Sequence, residues 1–585
     1  MIRRVGKAAV AAAAALFLVL PAQAINYMTL KPMSQVVRTG AQSCAAQSGP
    51  TRVPVIAWGG DIATSYANGS KKRTVAGSLM DKAHLNIELY RQDDFAKQVA
   101  DYMSCRTPFL RGTLGMLTAA SDVTSRDPRT DMVVIYQMTW SAGGDALVVR
   151  QGIEKPADLK GKTIAVQAYG PHMDYLTTIL RDAGLKPGDV HIKWVRDLIE
   201  LDHTSSSPAM ALRSDSSVDA AFVISPDALA LTSGGAVGTG GEDSVRGAHI
   251  LLSTKTANRV ISDVYAVRRD YFDSHKAKVQ AFVNALMQAD EQTRTLFKER
   301  QTRASDYKTM IEGAALLLLD SADAVEDTAA MYGDAEFVGF SGNVRFFTDL
   351  AYPRGFKPLT TEIQSSFEQL GLLSSAKPIA DAGWSYNNLA VGISDTSMAE
   401  APRFNKSAVD QLVARRQSQN SASEGELFRF EIYFAPNQNT FPADQYRAAF
   451  DQVINLASTY GGALLTIEGH SDPLGYLRRK KAGASVIELS SIKQASRNLS
   501  YTRANAVRQS IINYAHSKGI TLDPSQFGVS GLGVSRPNTP GCSYDATGDI
   551  SLTCAPKTKA QWNATRRVVF RVIQVEAEPD VFRPL

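Results

Sequence analysis

Two oppositely charged side chains in the second half of the chain stand in settings suited to binding. The stretch LTIEGHSDPLG, residues 465–475, reads as a buried strand that runs into a small, charged turn containing Asp472. Arg503 follows in LSYTRANAVRQSI. From these residues alone, Asp472 caps the segment after it and Arg503 pairs with it as a structural salt bridge. His470 is interpreted as a turn or packing residue.

Small and polar residues also cluster in four loops of the first half, each beside an apolar strand. Glycine lets a backbone approach a ligand closely, and a helix N-terminus offers free N–H groups to an anion. Simpler interpretations stay open, because Ser225-Pro226 is also an ordinary helix start and Gly59 also suits a plain turn. Asp61 and Asp145 argue against a simple anion site. The candidate ligand contacts are Trp58, Gly59, Gly143, Gly144, Tyr169, Gly170, His172 and Ser225.

Known catalytic motifs are missing from the sequence. It contains no G-x-S-x-G elbow, no H-E-x-x-H helix and no G-x-x-x-x-G-K-[ST] phosphate loop. We therefore expect a protein that is not an enzyme and that has no catalytic residues, cofactor or metal. The net charge is only +5, from 63 basic and 58 acidic residues, and no long basic run occurs, so a nucleic-acid partner is not expected.

The loops of the first half are positioned by a repeating pattern of elements. From about Val53, short apolar strands such as VPVIAW, MVVIYQM and KTIAVQ alternate with helical segments such as HMDYLTTILRDAG. This alternation predicts a parallel α/β sheet. Residues 270–335 are strongly helical and are expected to close one lobe.

A polar stretch separates the two halves. Residues 391–426 are rich in Ser, Gln, Asn and Glu, which predicts a linker. Residues 427–585 then read strand, helix, strand, helix, strand, strand, which predicts a compact α+β domain.

The N-terminus and the cysteines predict export. Residues 1–24 have basic residues, an apolar run and an Ala-Gln-Ala ending, so we expect a secretory signal cut after Ala24; an uncleaved anchor is the alternative. An oxidising compartment favours disulfides within each half, Cys44 with Cys105 and Cys542 with Cys554. A zinc site is the weaker interpretation, because the eight histidines are scattered.

The run KPADLKGKTIAVQAYGPHMDYLTTILRDAGLKPGDVHI, followed by AMALRSDSSVDAAFVISPDAL, resembles the type 2 periplasmic substrate-binding proteins of ABC importers. The likeness is greatest to the group that serves nitrate, sulfonates and thiamine precursors. It implies a two-lobed α/β periplasmic-binding-protein fold for residues 25–390, with a small polar ligand in the crevice between the lobes. It also implies an ABC permease on other chains.

Four motifs of the second half, GHSDPLG, LSYTRANAVRQSI, GLGVSRP and RRVVFRV, resemble the OmpA-like peptidoglycan-binding domain. The resemblance implies that Asp472 and Arg503 clamp the diaminopimelate of the peptidoglycan stem peptide. A zwitterionic end suits such a pair, since a carboxylate binds its ammonium and a guanidinium fork binds its carboxylate. Thr565 and Arg566 fall at a further ligand contact, where Thr565 replaces the family's usual Asn.

Together these features predict a periplasmic solute-binding protein held noncovalently to the cell wall of a Gram-negative envelope. The alternative is a structural or assembly protein of the envelope whose N-terminal domain binds a protein partner. One departure from the OmpA-like pattern is an insertion, since thirty residues separate Asp472 from Arg503. It contains four consecutive basic side chains, Arg478 to Lys481, which indicate either a solvated face or attraction to the acidic wall polymer.

Overall fold

The computed structural model describes residues 25–44, 49–200, 206–241, 243–398, 403–547 and 549–574. The expected signal segment, residues 1–24, lies outside the described residues. Within the described ranges, no helix combines the length and the apolar character needed to cross a bilayer.

Sixteen strands form in the described ranges, and they are listed here in chain order. They are β1 (Thr51–Val55), β2 (Ile87–Arg91), β3 (Phe109–Thr113), β4 (Met132–Ser141), β5 (Asp145–Val149), β6 (Thr163–Gln167), β7 (His191–Val195), β8 (Ala220–Ile224), β9 (His249–Ser253), β10 (Ser262–Arg268), β11 (Ala335–Phe337), β12 (Ala380–Asp381), β13 (Glu426–Tyr433), β14 (Leu464–His470), β15 (Phe527–Gly533) and β16 (Arg567–Ile573).

The α-helices of the same ranges surround these strands. They are α1 (Met33–Val36), α2 (Asp61–Ala67), α3 (Leu79–Lys82), α4 (Phe95–Met103), α5 (Leu114–Thr124), α6 (Met173–Asp182), α7 (Pro208–Ser214), α8 (Ser225–Leu231), α9 (Arg269–Lys298), α10 (Ala304–Leu318), α11 (Val325–Gly333), α12 (Gly339–Thr348), α13 (Phe356–Gln369), α14 (Tyr386–Leu389), α15 (Lys406–Ser418), α16 (Arg447–Thr459), α17 (Leu474–Lys481), α18 (Val486–Ser517) and α19 (Lys559–Thr565).

Three sheets build the described first half of the chain, two in the first lobe and one in the second. The first lobe has the order β11-β4-β10-β3, with β12 beside β4 and the β1-β2 pair next to β3. The second lobe has the order β7-β6-β8-β5-β9. The chain crosses between the lobes twice, at residues 142–144 after β4 and at residues 254–261 after β9. The predicted two-lobed α/β fold is confirmed.

The sheets are mixed, whereas the alternation of strands and helices predicted parallel ones. β6 pairs in parallel with β7 and β8, and β1 pairs in parallel with β2. In contrast, β10 runs antiparallel to β3 and β4, and β5 runs antiparallel to β8 and β9. The reason is the two crossings: the chain leaves the first lobe along β4 and returns along β10, so these neighbours run in opposite directions.

A separate four-stranded sheet forms in the second half, in the order β13-β16-β14-β15. β14 and β15 are parallel and the other pairs are antiparallel. The long helix α18 packs on β14 and β15, and α16 packs beside it. The arrangement is α+β, and its likeness to an OmpA-like domain stays a prediction.

Part of the segment predicted as a linker is helical. α15 lies inside residues 391–426, and its buried Val409, Leu412 and Val413 pack with Leu464 and Ile573 of the C-terminal sheet. Their spacing of three and four residues places them on one face of the helix. The polar residues that suggested a linker lie mainly on the exposed side of this helix.

Both predicted disulfides are present. Cys44 is bonded to Cys105, and Cys542 is bonded to Cys554. The first ties the segment before β1 to the end of α4, and the second closes a short loop of the C-terminal domain.

The two halves of the protein are in direct contact at the second crossover. The Arg259 N–H donates to the Thr459 carbonyl at 3.2 Å, and the Gly462 N–H donates to the Thr256 carbonyl at 3.1 Å. A Cβ at position 462 would lie 2.1 Å from the carbonyl oxygen of Lys255. The approach of the two backbones therefore requires glycine here.

A buried carboxylate strengthens this contact. Glu336 in β11 is 3% exposed and accepts hydrogen bonds from Arg259 Nη1 at 2.7 Å and from Arg403 Nη2 at 2.7 Å. The backbone N–H of Arg403 donates to Asp523 of the C-terminal domain. The Glu336 carboxylate thus links the second crossover to the segment that precedes α15.

Replacing Glu336 with alanine should destabilise the mature chain by about 3 kcal/mol, because removing one partner from a buried charge network costs about 3–5 kcal/mol. Calorimetry should show a lower melting temperature, or separate melting of the two halves. Glu312→Ala is the matched control, because Glu312 forms an exposed pair with Lys308 at 3.7 Å and should change stability by less than about 1 kcal/mol. Equal melting of both variants would contradict the role given to Glu336.

Candidate functional site

A buried arginine of the first lobe lies beside the crossovers. Arg111 in β3 donates from Nε to Asp61 Oδ2 at 3.0 Å and from Nη1 to Asp263 Oδ1 at 2.6 Å. Asp61 begins α2 and Asp263 lies in β10, so one guanidinium joins three elements. Burial raises the pKa of Asp61 to about 6, against the opposing effect of the Arg111 charge.

Across the first crossover, a hydrogen-bonded cluster surrounds Asp145 of the second lobe. Its Oδ1 lies 2.7 Å from His172 Nε2, and the Ser141 hydroxyl donates to its Oδ2 at 2.6 Å. Thr254 Oγ1 accepts the Asp145 backbone N–H at 3.1 Å. The Ser141 hydroxyl donates its single hydrogen to a carboxylate, so this is not the hydrogen bond from serine to histidine that activates a nucleophile. The cluster can position a bound group.

A third feature of the cleft is a carboxylate without a partner. Asp174, in the first turn of α6, is 1% exposed, and neither of its oxygens has a hydrogen-bond partner in the described part of the chain. It faces the other lobe, since a Cβ built on Gly115 in α5 would lie 2.7 Å from its Cγ. Burial raises the pKa of Asp174 to about 8, although the amides at the start of α6 and the charge of Arg354 favour the ionised form.

Several of the predicted ligand contacts meet at this cleft. The ring of Trp58 covers Gly144, where a Cβ would lie 2.6 Å from the ring, and Trp58 Nε1 donates to Thr139 Oγ1 at 3.0 Å. The backbone N–H of Ser225 donates to the Gly144 carbonyl at 2.7 Å. Trp58 therefore packs one lobe against the first crossover.

The two glycines predicted beside these residues have tight neighbours. A Cβ on Gly59 would lie 2.0 Å from the carbonyl oxygen of Met331, and one on Gly143 would lie 2.9 Å from Asp334 Oδ1. At both positions, glycine serves the packing of the protein itself.

Two other predicted ligand contacts, Tyr169 and Gly170, have other neighbours in the protein. The Tyr169 hydroxyl donates to the Lys31 carbonyl at 2.7 Å, so this side chain ties the second lobe to the N-terminal segment. At Gly170, a Cβ would lie 1.9 Å from Gln167 Oε1. Of this loop, His172 is the predicted residue that joins the Asp145 cluster.

A second candidate site lies in the C-terminal domain around Arg503 of α18. Its guanidinium donates to three backbone carbonyls: Nε to Gln438 at 2.8 Å, Nη2 to Ala435 at 3.3 Å and Nη1 to His470 at 3.4 Å. Arg503 is 1% exposed and forms no salt bridge with any described carboxylate. Burial, together with the charge of Arg566, lowers the pKa of Arg503 to about 10, so the group remains cationic at neutral pH.

Asp472 stands next to this arginine and pairs with Arg566. Arg566 Nη1 donates to Asp472 Oδ2 at 3.2 Å, and Asp472 Oδ1 accepts the Leu474 N–H at 2.7 Å. The carboxylate both caps the start of α17 and keeps one side open, with 28% of the side chain exposed. The buried Thr565 hydroxyl donates to the Trp562 carbonyl. The structure thus gathers one carboxylate and two guanidiniums.

The insertion before Arg503 forms α17 and the start of α18, and it packs with the second disulfide loop. Tyr476 and Ile550 share a small apolar cluster there. Lys480 Nζ donates to Asp545 at 2.7 Å and to Asp549 at 3.0 Å. The basic run is therefore partly neutralised within the domain, which neither interpretation of this run had anticipated.

Sequence reasoning missed Arg111, Asp263 and Asp174. Each is the single charged residue of a short stretch without other charges, FLRGT, SDVYAV and MDYLTTIL. Charged residues are rarely buried without a partner, so an isolated charge in an apolar strand was the available signal. The Asp61–Arg111–Asp263 arrangement itself joins residues far apart in the chain.

Comparison with known proteins finds a family match within the first half. Residues 123–294 match the family model described as NMT1/THI5 like. Over 148 residues the chain is 31% identical to the taurine-binding periplasmic protein of Escherichia coli (strain K12), a match that covers 25% of this chain and 40% of that protein. The family match includes Asp145, Asp174 and Asp263, and excludes Asp61 and Arg111.

Two solved structures are similar to parts of this chain at low identity. A putative periplasmic sulfonate-binding protein from Methylobacillus flagellatus KT is 15% identical, with a TM-score of 0.39, and covers 60% of this chain and 94% of that chain. The peptidoglycan-associated lipoprotein from Burkholderia pseudomallei is 19% identical, with a TM-score of 0.17, and covers 24% of this chain and 87% of that chain.

The raised pKa of Asp174 predicts a pH-dependent stability. The unfolded carboxyl ionises near pH 4, whereas in the folded protein the pKa is about 8. The contribution of Asp174 to the free energy of unfolding is therefore fully present below pH 4 and is lost as pH rises towards 8. Asp174→Asn should melt at least about 2 °C above the wild type at pH 8, with a smaller difference at pH 5, as measured by differential scanning fluorimetry. A difference that does not change with pH would contradict this account.

Proposed function

We propose that the protein is a periplasmic solute-binding protein that is anchored to peptidoglycan by its C-terminal domain. The solute-binding part is supported by the two-lobed fold with two crossovers, and by sequence similarity to the NMT1/THI5-like family and to a taurine-binding periplasmic protein. Polar groups from both lobes meet at the cleft, where a small polar ligand would bind between them. An ABC permease on other chains would receive the solute.

The wall-binding part rests on Arg503. A buried guanidinium normally has a carboxylate partner, because desolvating a lone charge is costly. Here the described partners of Arg503 are carbonyl oxygens, while Asp472 pairs with Arg566 and stays partly exposed. The carboxylate of a diaminopimelate end would complete Arg503, and its ammonium would contact Asp472. Neither residue acts as an acid or base in this proposal.

Solute binding predicts a measurable closure of the lobes. We expect a polar metabolite panel to contain at least one compound that raises the melting temperature of residues 25–585, because binding to the native state alone stabilises it. The same compound should reduce the radius of gyration in solution scattering if the lobes move together. If no compound produces either effect, the N-terminal half functions as a surface for a protein partner, as in an envelope assembly protein.

Wall binding predicts the loss of sacculus affinity on removing either charge. Asp472→Ala and Arg503→Ala should each lower the affinity for purified sacculi by more than tenfold, since truncating one partner of a desolvated charge contact costs about 2–5 kcal/mol. Arg503→Lys should also bind more weakly, because an ammonium cannot form the two-bond fork. The assay is co-sedimentation of the full mature chain, with folding checked by circular dichroism.

Arg447→Ala is the matched control, because Arg447 forms an exposed pair with Asp444 on the surface of the same domain. It should bind like the wild type. Normal binding by folded Asp472→Ala and Arg503→Ala variants would show that wall recognition lies elsewhere, or that the domain does not bind the wall.

A further inference from the structure

The centre of the interlobe cleft contains more buried acidic groups than buried basic ones. Four carboxylates there are at most 5% exposed: Asp61, Asp145, Asp174 and Asp263. Their charges are linked, since Asp263 acts on both Asp61 and Asp174, and Asp145 acts on Asp263. The described side chain that is always cationic among them is Arg111, and it is shared by two of the four.

Three of these four carboxylates have ion-pair or hydrogen-bond partners among the described side chains. Asp61 and Asp263 bind Arg111, and Asp145 binds His172 and Ser141. No described side chain forms an ion pair or a hydrogen bond with Asp174. The backbone amides of Asp174 and Tyr175, at the start of α6, favour its ionised form. The charge of Arg354 also acts on Asp174, but Arg354 Nη1 donates to Glu362 at 3.0 Å.

The position of Asp174 is between the lobes. It lies in the first turn of α6 in the second lobe, and it occupies the space directly against Gly115 in the first turn of α5 in the first lobe. Any side chain at position 115 would meet the carboxylate at 2.7 to 2.9 Å. The carboxylate therefore forms part of the contact between the two lobes, and a group that binds it must enter between α5 and α6.

The chemistry of Asp174 indicates which kind of ligand group would bind beside it. A buried, unpartnered carboxylate is costly in the interior, and a cation that donates hydrogen bonds removes that cost. An ammonium carries up to three donors on one centre, whereas a sulfonate carries only acceptors and a negative charge. Placing a bare sulfonate beside Asp263 and the ionised form of Asp174, which is populated at pH 8 because its pKa is about 8, would add repulsion in a low-dielectric site.

We propose that the solute of this cleft is a small organic ammonium compound whose cationic group binds Asp174, with Asp263 and Asp145 contributing to the negative field. This inference rests on the proposed solute-binding function and names its ligand class. A zwitterion such as an aminosulfonate is compatible through its ammonium end. A plain alkanesulfonate is not.

The test uses matched probes on the mature full chain. Ethanolamine represents primary ammonium compounds, and choline represents a cation whose ammonium has no N–H donor. Taurine represents a zwitterion, and ethanesulfonate represents the anion alone; propyl and butyl amines and sulfonates extend the series. Isothermal titration and thermal shift at pH 8 should detect binding by at least one ammonium compound and none by the plain sulfonates. Binding by sulfonates in preference to amines would overturn the inference and leave the solute-binding function standing.

Two variants check the site. Asp174→Asn should weaken the best ammonium ligand at least tenfold, while its unliganded melting temperature is equal to or above that of the wild type. Glu154→Gln is the control, because Glu154 is exposed and lies beyond the end of β5 opposite to Asp145. Unchanged affinity in Asp174→Asn would overturn the assignment. If the metabolite panel contains a ligand but no compound of the ammonium series binds, the ligand class is wrong and the solute-binding function stands. If no compound of either set binds, the proposed solute-binding function is wrong as well.

Discussion

The guanidinium of Arg111 is the interaction on which the first lobe depends. It is fully buried, and it binds the carboxylate that begins α2 and the carboxylate carried by β10. Because an uncompensated charge in the interior is strongly unfavourable, neither acid can move away without exposing the arginine or leaving it unpaired. The start of α2, β3 and β10 are thereby fixed relative to one another, and the loop that carries Trp58 is fixed with them.

The two guanidiniums at the candidate sites differ in a way that bears on function. Arg111 has two carboxylates and is complete within the fold. Arg503 has carbonyl oxygens, which carry only partial charges, and its carboxylate neighbour Asp472 binds a different arginine. Asp145 and Asp174 differ in a similar way. Asp145 binds His172 and Ser141, whereas Asp174 has no side-chain partner in the described chain. A buried arginine without a carboxylate partner and a buried aspartate without a side-chain partner thus lie in different halves of the described chain.

The contact between the halves has a mechanical consequence. The turn at residues 459–462 hydrogen-bonds to the crossover that connects β9 with β10, and Glu336 holds Arg259 of that crossover. A change in the angle between the lobes bends the crossovers, since they are the covalent connections between the two sheets. Such a change would have to move or break the contacts with the C-terminal domain.

The sequence by itself determined the α/β class of the first half, the α+β elements of the second and the pairing of the cysteines, because these depend on local periodicity and on where cysteines fall. The two-lobed arrangement was implied by the resemblance to type 2 periplasmic substrate-binding proteins. It also pointed to Asp472 and Arg503, which stand in recognisable local motifs. Tertiary structure alone decided the mixed strand directions, the docking of α15 and the partner of Asp472. It also decided the meeting of Asp61, Arg111 and Asp263, and of Asp174 with Gly115. These pairings join segments that are far apart in sequence, so they follow from how the sheets pack and not from any local pattern.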